Sequence, residues 1–457
     1  MRGSDAEGAP GAKCRAASVL IVIIIAAVWN FHFRNSPIEP ASKEKMAFPL
    51  PDLPSIAIMP FVNMSEDPKQ EFLCDGMTEE IITVLSKVPK LFVVARDSIF
   101  TYKGKSLKVK QVSEELGVRY VMEGSFQRAG NHIRITVQLI DALTGNHVWA
   151  ERYDRKIEDI FALQDDIAIK ILAAMQVKLM GTDQASISAT EKYFKGEHGL
   201  DCYMKYLEAM AYQERFSLEA NNVLRRIAED SMSICPDNPM SYFIMALVHG
   251  NDYWFGTSKS PQESLDKAIE LIQKSLEIDD SNGQFHGYLG RLYTMKREYD
   301  KGVLEGERAV AIDPGRADAI CPYAWSLSSA GKYEEAIPLF QKAIRIDPFG
   351  ITVHYTPLGN AFLWMGRFEE AVSAYKKVIQ RAPDNIYAHV QLAATYNMMG
   401  RENEAHAEVA EVIRINPKFS LDFYTRTIVL KDRSIIDNIV SALRKAGLPE
   451  RPPPVHP

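Results

Sequence analysis

From about residue 199 to 417 the apolar positions recur at three- and four-residue spacing, broken at regular intervals by turn residues. This is the mark of helices laid in series. Three stretches are nearly the same sentence: GKYEEAIPLFQKAIRIDP at 331–348, GRFEEAVSAYKKVIQRAP at 366–383 and GRENEAHAEVAEVIRINP at 400–417. Upstream, residues 55–180 alternate between two periods. SIAIMPF (55–61) and LFVVA (91–95) are short apolar strands. Residues 69–88 and 109–116 carry the helical period, the second stopped by Gly117. Ile133, Ile135, Val137 and Leu139 alternate with Arg134, Thr136 and Gln138, as in a half-buried strand, and RAGN (128–131) and LTGN (143–146) are turns between such strands. A long amphipathic helix over 157–180 completes the order β-α-β-α-β-β-β-α, an α/β sandwich.

The helical repeats keep a strict frame. Pro314, Pro348, Pro383 and Pro417 are spaced 34, 35 and 34 apart. Ala336, Ala371 and Ala405 recur in step, as do Tyr299, Tyr333 and Phe368, and upstream Leu289-Gly290, Tyr323-Ala324, Leu358-Gly359 and Leu392-Ala393. This matches the tetratricopeptide pattern of paired antiparallel helices, an all-α superhelix. One helix pair cannot cover its own apolar face, so it stacks on the next, and small residues at the contacts let the helices approach. A glycine fits the turn inside each pair, and the closing proline stops the second helix. The frame extends back through 283–316, with Arg297 in place of the turn glycine, through 238–280, with NDYWFGTSKS inserted, to a degenerate repeat at 199–236. That predicts about six repeats over 199–417, capped by residues 418–447 with Ile435, Ile436, Ile439, Val440 and Leu443 on one face. The first helices of such a stack line a concave groove. Positions expected to face it are Arg291, Trp325, Asn360, Trp364, Tyr387 and Asn397, which would hold a protein or peptide. A carboxylate clamp needs Lys and Asn at fixed sites; Gly287, Cys321, Trp325, Thr356 and Val390 stand there, and Asn360 alone fits.

The amino terminus reads differently. After a short tail (1–15), Ala16 to Phe33 holds no formally charged residue, with VLIVIIIAAVW at its centre and Trp29, Phe31 and Phe33 at one end. Eighteen helical residues reach about 27 Å, close to the hydrocarbon thickness of a bilayer. The segment is expected to be one transmembrane helix, an uncleaved signal anchor, since no small-x-small cleavage site follows. A cleaved signal peptide is the rival. Flanking charges are balanced, Lys13 and Arg15 against Arg34, Lys43 and Lys45, and barely set an orientation. Five prolines in 35–54 make residues 34–54 a semi-rigid linker.

Composition narrows the chemistry. Of 457 residues 46% are apolar and 25% charged, with a net charge of −6 and no long basic run, so nucleic acid is not an expected partner. The five cysteines are scattered without a CxxC pair, which argues against a disulfide framework or zinc site and for ordinary buried thiols. Asp75, Glu79 and Glu80, and likewise Asp165 and Asp166, read as helix-start carboxylates rather than metal ligands. Glu123-Gly124-Ser125 lies within a strand pattern and is no nucleophile elbow. No catalytic, cofactor or metal residue is expected.

PSIAIMPFVNM, DGMTEEIITVLSK, ELGVRYVMEGSFQRAG, RITVQLIDALTGNHVWAERYDR and IFALQDDIA resemble the domain related to the amino-terminal module of TolB. In many bacterial proteins that domain follows an adenylate cyclase or winged-helix module and a membrane segment and precedes tetratricopeptide repeats. LRKAGLPE (443–450) resembles the carboxyl end of the cyclase-type chains. The resemblance spans most of 45–447 and implies the non-catalytic half of a class III adenylate cyclase-type receptor, because only 15 residues precede the apolar segment. It further implies a bacterial inner-membrane sensor or scaffold, a body in the periplasm as for TolB, and a separate cyclase or other signalling partner.

Overall fold

The computed structural model describes residues 38–65, 67–175, 194, 198–213, 215, 217–255, 257 and 260–451. The expected membrane segment 16–33 lies outside them, and among the described residues no helix is long and apolar enough to cross a membrane.

The first domain is a mixed sheet with helices packed on it. Its strands are β1 (Ser55–Ile58), β2 (Val62–Asn63), β3 (Phe92–Val93), β4 (Tyr120–Ala129), β5 (His132–Asp141) and β6 (Asn146–Lys156), in the order β3-β1-β4-β5-β6 with β2 also on β4. β1 runs parallel to β3 and β4, while β4, β5 and β6 form an antiparallel meander. β1 is buried throughout, as a parallel strand covered on both faces should be. β5 alternates, with Ile133, Ile135 and Val137 buried and His132, Arg134 and Thr136 exposed. The sequence reading lacked β2. It also lacked α2 (Arg96–Phe100), which follows α1 (Glu71–Ser86) and β3 and precedes α3 (Val109–Leu116) and α4 (Ile160–Ala174). α1 begins at Glu71, and Asp75 and Glu79 lie beyond its first turn. They meet Lys103 at 2.5 Å and Arg96 at 3.2 Å instead of capping the dipole.

The described part of the proline-rich segment is strapped to this domain. Ala41 N–H donates to the Ala142 carbonyl, Ala47 N–H to Glu114, and Lys110 pairs with Glu39. The expected spacer is therefore packed structure from residue 38 onward. Its prolines leave few N–H groups to satisfy, and these find partners on α3 and after β5.

Six helix pairs follow. They are α5 (Gly199–Gln213) with α6 (Leu218–Ile234), α7 (Pro239–Phe255) with α8 (Pro261–Ile278), and α9 (Gly283–Met295) with α10 (Tyr299–Ile312). Then come α11 (Ala317–Ser329) with α12 (Tyr333–Ile346), α13 (Ile351–Trp364) with α14 (Phe368–Arg381), and α15 (Ile386–Met398) with α16 (Glu402–Ile415). The insertion NDYWFGTSKS lengthens α7 by its first five residues. Gly331, Gly366 and Gly400 take positive φ in the turns inside their pairs. Arg297, at the same place one repeat earlier, is the one non-glycine with positive φ among the described residues. The turn geometry is so uniform that it forces an arginine into the left-handed region. A Cβ on Gly290 would lie 2.9 Å from the Gly302 carbonyl, so α9 and α10 touch backbone to backbone.

Two residues correct the reading of the cysteines. Cys202 in α5 and Cys235 after α6 form a disulfide with a Cα separation of 6.1 Å. Their 33-residue spacing gave no sign of it; the antiparallel return of α6 on α5 brings them together. Among the described residues Cys74 and Cys321 are the buried thiols that remain.

The chain ends in α17 (Leu421–Thr427) and α18 (Arg433–Lys445). α18 buries Ile436, Ile439, Ala442 and Leu443 against the last pair. The segment between them returns toward earlier repeats: Arg297 donates to the Ile428 carbonyl and Lys431 N–H to Ser329.

Ala336, Ala371 and Ala405 are fully buried where second helices meet their neighbours. Ala371→Leu should overpack that contact and lower stability by roughly 1–3 kcal/mol. Ala410→Leu, on the exposed face of α16, should leave the denaturation midpoint nearly unchanged. Equal midpoints for the two variants would reject this register.

Candidate functional site: a cavity between the two domains

The first helices of the pairs line the inner face of the stack, and the α/β domain lies against it. One hydrophobic core runs from β1 and α1 into α5, α7 and α9 without a break. Gln164 in α4 donates to the hydroxyl of Tyr203 in α5, and Phe161, Phe194 and Tyr203 form an aromatic cluster. The first helix pair thus belongs to the packing of both domains.

Three polar contacts fasten the domain further along. Ser98 Oγ donates to Asp347 at 2.5 Å and accepts from Phe349 N–H at 2.9 Å. Arg316 donates to Thr83 Oγ1 at 2.7 Å and pairs with Asp318. The Arg345 guanidinium has carbonyls for partners, those of Leu116, Gly117 and Pro49, and lies over the rings of Phe92 and Phe48. Burial lowers its pKa to about 10, so it remains charged at neutral pH. Ala95 N–H also donates to the Ile346 carbonyl.

Between these contacts is a cavity of about 590 Å³. Its α/β side is formed by Glu79, Ile82, Thr83 and Ser86 of α1 with Val93 and Ala95–Asp97. Its repeat side draws on five inner helices. Phe243, Leu247 and Trp254 come from α7, Tyr288 and Arg291 from α9, Cys321, Pro322 and Trp325 from α11, and Val353, His354 and Pro357 from α13. Met210 and Gln213 of α5 close the far end.

The charges on the two sides differ. On the α/β side Arg96 serves Glu79 at 3.2 Å and Asp97 at 3.7 Å. The Asp97 side chain is 65% exposed because it opens on to the cavity. Enclosure by protein, with the nearby Asp347 carboxylate, raises its pKa. Asp318 is held low by Arg316 against the cost of burial. On the repeat side His354 Nε2 meets Asp347 at 2.8 Å. Burial pulls that imidazole toward neutrality; Cys321 and Asp347 outweigh it and lift its pKa to about 10. Among the described residues, no group of three or more His, Cys, Asp or Glu side chains is placed to hold a metal.

Of the six residues expected to face the groove, Arg291 and Trp325 share this cavity wall. The other four do not join them. Asn360 accepts from the Tyr375 hydroxyl at 2.8 Å within its own helix pair. Trp364 is 8% exposed and packs on Tyr333. Tyr387 is exposed and Asn397 half-buried, away from the cavity lining. Sequence reasoning missed Trp254, Tyr288, Phe243 and His354. The first sits in the inserted aromatic run DYWF, which signalled it; the others look like ordinary repeat positions.

Ser98 is buried with both its donor and acceptor used across the domain boundary. Ser98→Ala strands a carboxylate oxygen and an N–H, and should lower stability by about 1–3 kcal/mol in chemical denaturation. Ser106→Ala, on an exposed loop, should not. His354 supplies a second expectation. Its folded pKa lies above its unfolded value of about 6.5, so its stabilisation is complete below that pH and is lost as pH rises toward 10. The melting temperature should fall across that window, and His354→Gln should flatten the fall.

Comparison with known proteins places these parts. Residues 52–170 match the family "HilA/YgeH-like transcriptional regulator, second domain", and residues 317–349 and 363–421 match tetratricopeptide repeat families. The chain is 40% identical over 276 residues to "Putative adenylate cyclase 3" of Rhizobium meliloti (strain 1021), which covers 60% of this chain and 46% of that protein. It is 25% identical over 307 residues to "Transcriptional regulator HilA" of Salmonella typhimurium, covering 66% of this chain and 52% of the regulator. The chain spans about half the length of the curated relatives it matches. Among solved structures, YrrB, described as a tetratricopeptide protein with an unusual peptide-binding site, is similar over 44% of this chain and 98% of its own, at 18% identity and a TM-score of 0.30.

Proposed function

We propose that this chain is the non-catalytic sensory body of a membrane-anchored signalling protein, with residues 16–33 as its single-pass anchor. The observation that carries the reading is the open-mouthed cavity between the α/β domain and the repeats. The repeats hold the α/β domain on their inner face, where a free scaffold would keep that face open for a partner. Tetratricopeptide repeats are protein-interaction scaffolds. Here the outer helices and the groove beyond α13 are the surface through which a protein partner docks.

The body lies in the periplasm and the amino terminus in the cytoplasm. The resemblance of residues 55–180 to the TolB module supports this side. So does the Cys202–Cys235 disulfide, a bond that persists in oxidising compartments and is rare in the cytosol.

A second reading is favoured by one specific observation, the 40% identity with the protein named as an adenylate cyclase. On that reading the chain is the regulatory half of a cyclase-like receptor, and it acts on a catalytic partner across the membrane.

Paired fusions test the arrangement. A phosphatase active only in the periplasm, joined after Pro457, should be active, and a reporter active only in the cytoplasm should be silent there. The opposite pair would place the body in the cytoplasm and favour direct contact with a cytoplasmic cyclase.

A further inference from the structure

We propose that the cavity between the α/β domain and the inner repeat helices binds a small organic carboxylate with an aromatic body. The inference deepens the sensor reading by naming the class of signal, and it rests on that reading only for its biological sense.

Two hydrogen-bond donors on the repeat wall have no acceptor. The Arg291 guanidinium makes neither a hydrogen bond nor an ion pair among the described residues. His354 is 3% exposed and its Nδ1 has no partner, while its Nε2 is committed to Asp347. Native proteins leave few buried polar groups in this condition, and a ring charged by Asp347 presents Nδ1–H as a donor.

The repeat's own pattern breaks at this point. His286 and His389 occupy the register of His354 in other repeats, and both are satisfied on each side. Their Nδ1 atoms meet Glu305 and Glu408, each 19 residues on, at 2.6 Å. Their Nε2 atoms meet the carbonyls of Asp280 and Pro383. Nineteen residues after His354 stands Ser373, on an exposed face. With no glutamate to meet, the ring turns to Asp347 and its other nitrogen is left buried without a partner behind the cavity lining. Two of the helices on this wall, α11 and α13, also hold interior prolines, Pro322 and Pro357. A proline there forfeits a helix hydrogen bond, and the Cys321 thiol takes up the Val353 carbonyl that Pro357 leaves free. Local rules broken together at one place are expected where a site is built.

The chemistry of the ligand follows from what is unmatched. Four carboxylates face or border the cavity, Glu79, Asp97, Asp318 and Asp347, and each has a cation in Arg96, Arg316 or His354. Arg96 serves two of the four, so Arg291 brings the lining to four cations against four carboxylates and is the one cation among them with no carboxylate in ion-pair reach. A monocarboxylate can pair with it; a dianionic phosphate would add a second charge facing Asp97 and Asp347 uncompensated. Between Arg291 and His354 the wall is Trp325, with Tyr288 and Trp254 beside it, which offers flat apolar surface for a ring. The volume of about 590 Å³ is within the range of small-molecule sites.

Calorimetric titration of the full chain in nanodiscs tests this with 3-phenylpropionate, indole-3-acetate and 4-hydroxybenzoate, each beside its neutral amide. At least one acid should bind, and its amide should bind at least tenfold more weakly. Arg291→Gln should weaken the acid at least tenfold without weakening the amide, and Arg291→Lys should restore part of the loss. Trp325→Ala should weaken acid and amide together. The proposal is overturned if no acid binds at millimolar concentration, if acid and amide bind alike, or if Arg291→Gln binds as the parent does. The topology fusions read the anchor and not the cavity, so either result can fail while the other stands.

Discussion

A stack of helix pairs has an inner face that no member of the stack can cover, and the architecture follows from how this chain covers it. The α/β domain supplies the cover. Its apolar edge, with Phe92 and Ala95, packs on the repeats. Three polar fastenings at Ser98, Thr83 and Arg345 then set its position. Each fastening meets the stack at a junction between repeats, through the side chains of Arg316, Arg345 and Asp347. Asp347 is the tightest of them. It closes α12, accepts from Ser98 of the other domain and holds His354 on the next inner helix. A single carboxylate thereby ties domain position to the electrostatics of the cavity wall.

The fold was legible where it is periodic. The proline frame at 314, 348, 383 and 417 and the buried alanines gave the helix pairs, because stacking imposes one spacing on every copy. The meander β4–β5–β6 was legible from alternation and its two glycine turns. Irregular backbone was not. β2 is two residues long and follows a break at Pro60, too short to show a period. The disulfide joins residues brought together by a helix return, and the strap at 38–54 is held by backbone bonds that carry no side-chain signature.

The site was legible by halves. Arg291 and Trp325 stand on the inner face at positions that the repeat register identifies, so they were found. Asn360 and Trp364 share that register, yet Asn360 points into its own helix pair on to Tyr375 and Trp364 packs back on Tyr333 of the preceding pair. Register alone gives the helix and the turn; what lies opposite decides whether a side chain reaches open space. The opposite wall belongs to another domain some 200 residues away in sequence, and no local pattern reports it.

That distance bears on how a signal would travel. A ligand paired with Arg291 and stacked on Trp325 would touch α9 and α11, while the carboxylates on the facing wall belong to α1 and α2. Asp97 on that wall has its pKa raised by enclosure and by Asp347. Asp347 in turn accepts the Ser98 hydrogen bond that holds the α/β domain in place. Occupancy of the cavity and seating of the domain therefore draw on the same few charges. The strap from residue 38 is bonded to α3 and to the turn after β5, so a shift in the seating of the domain carries the strap with it.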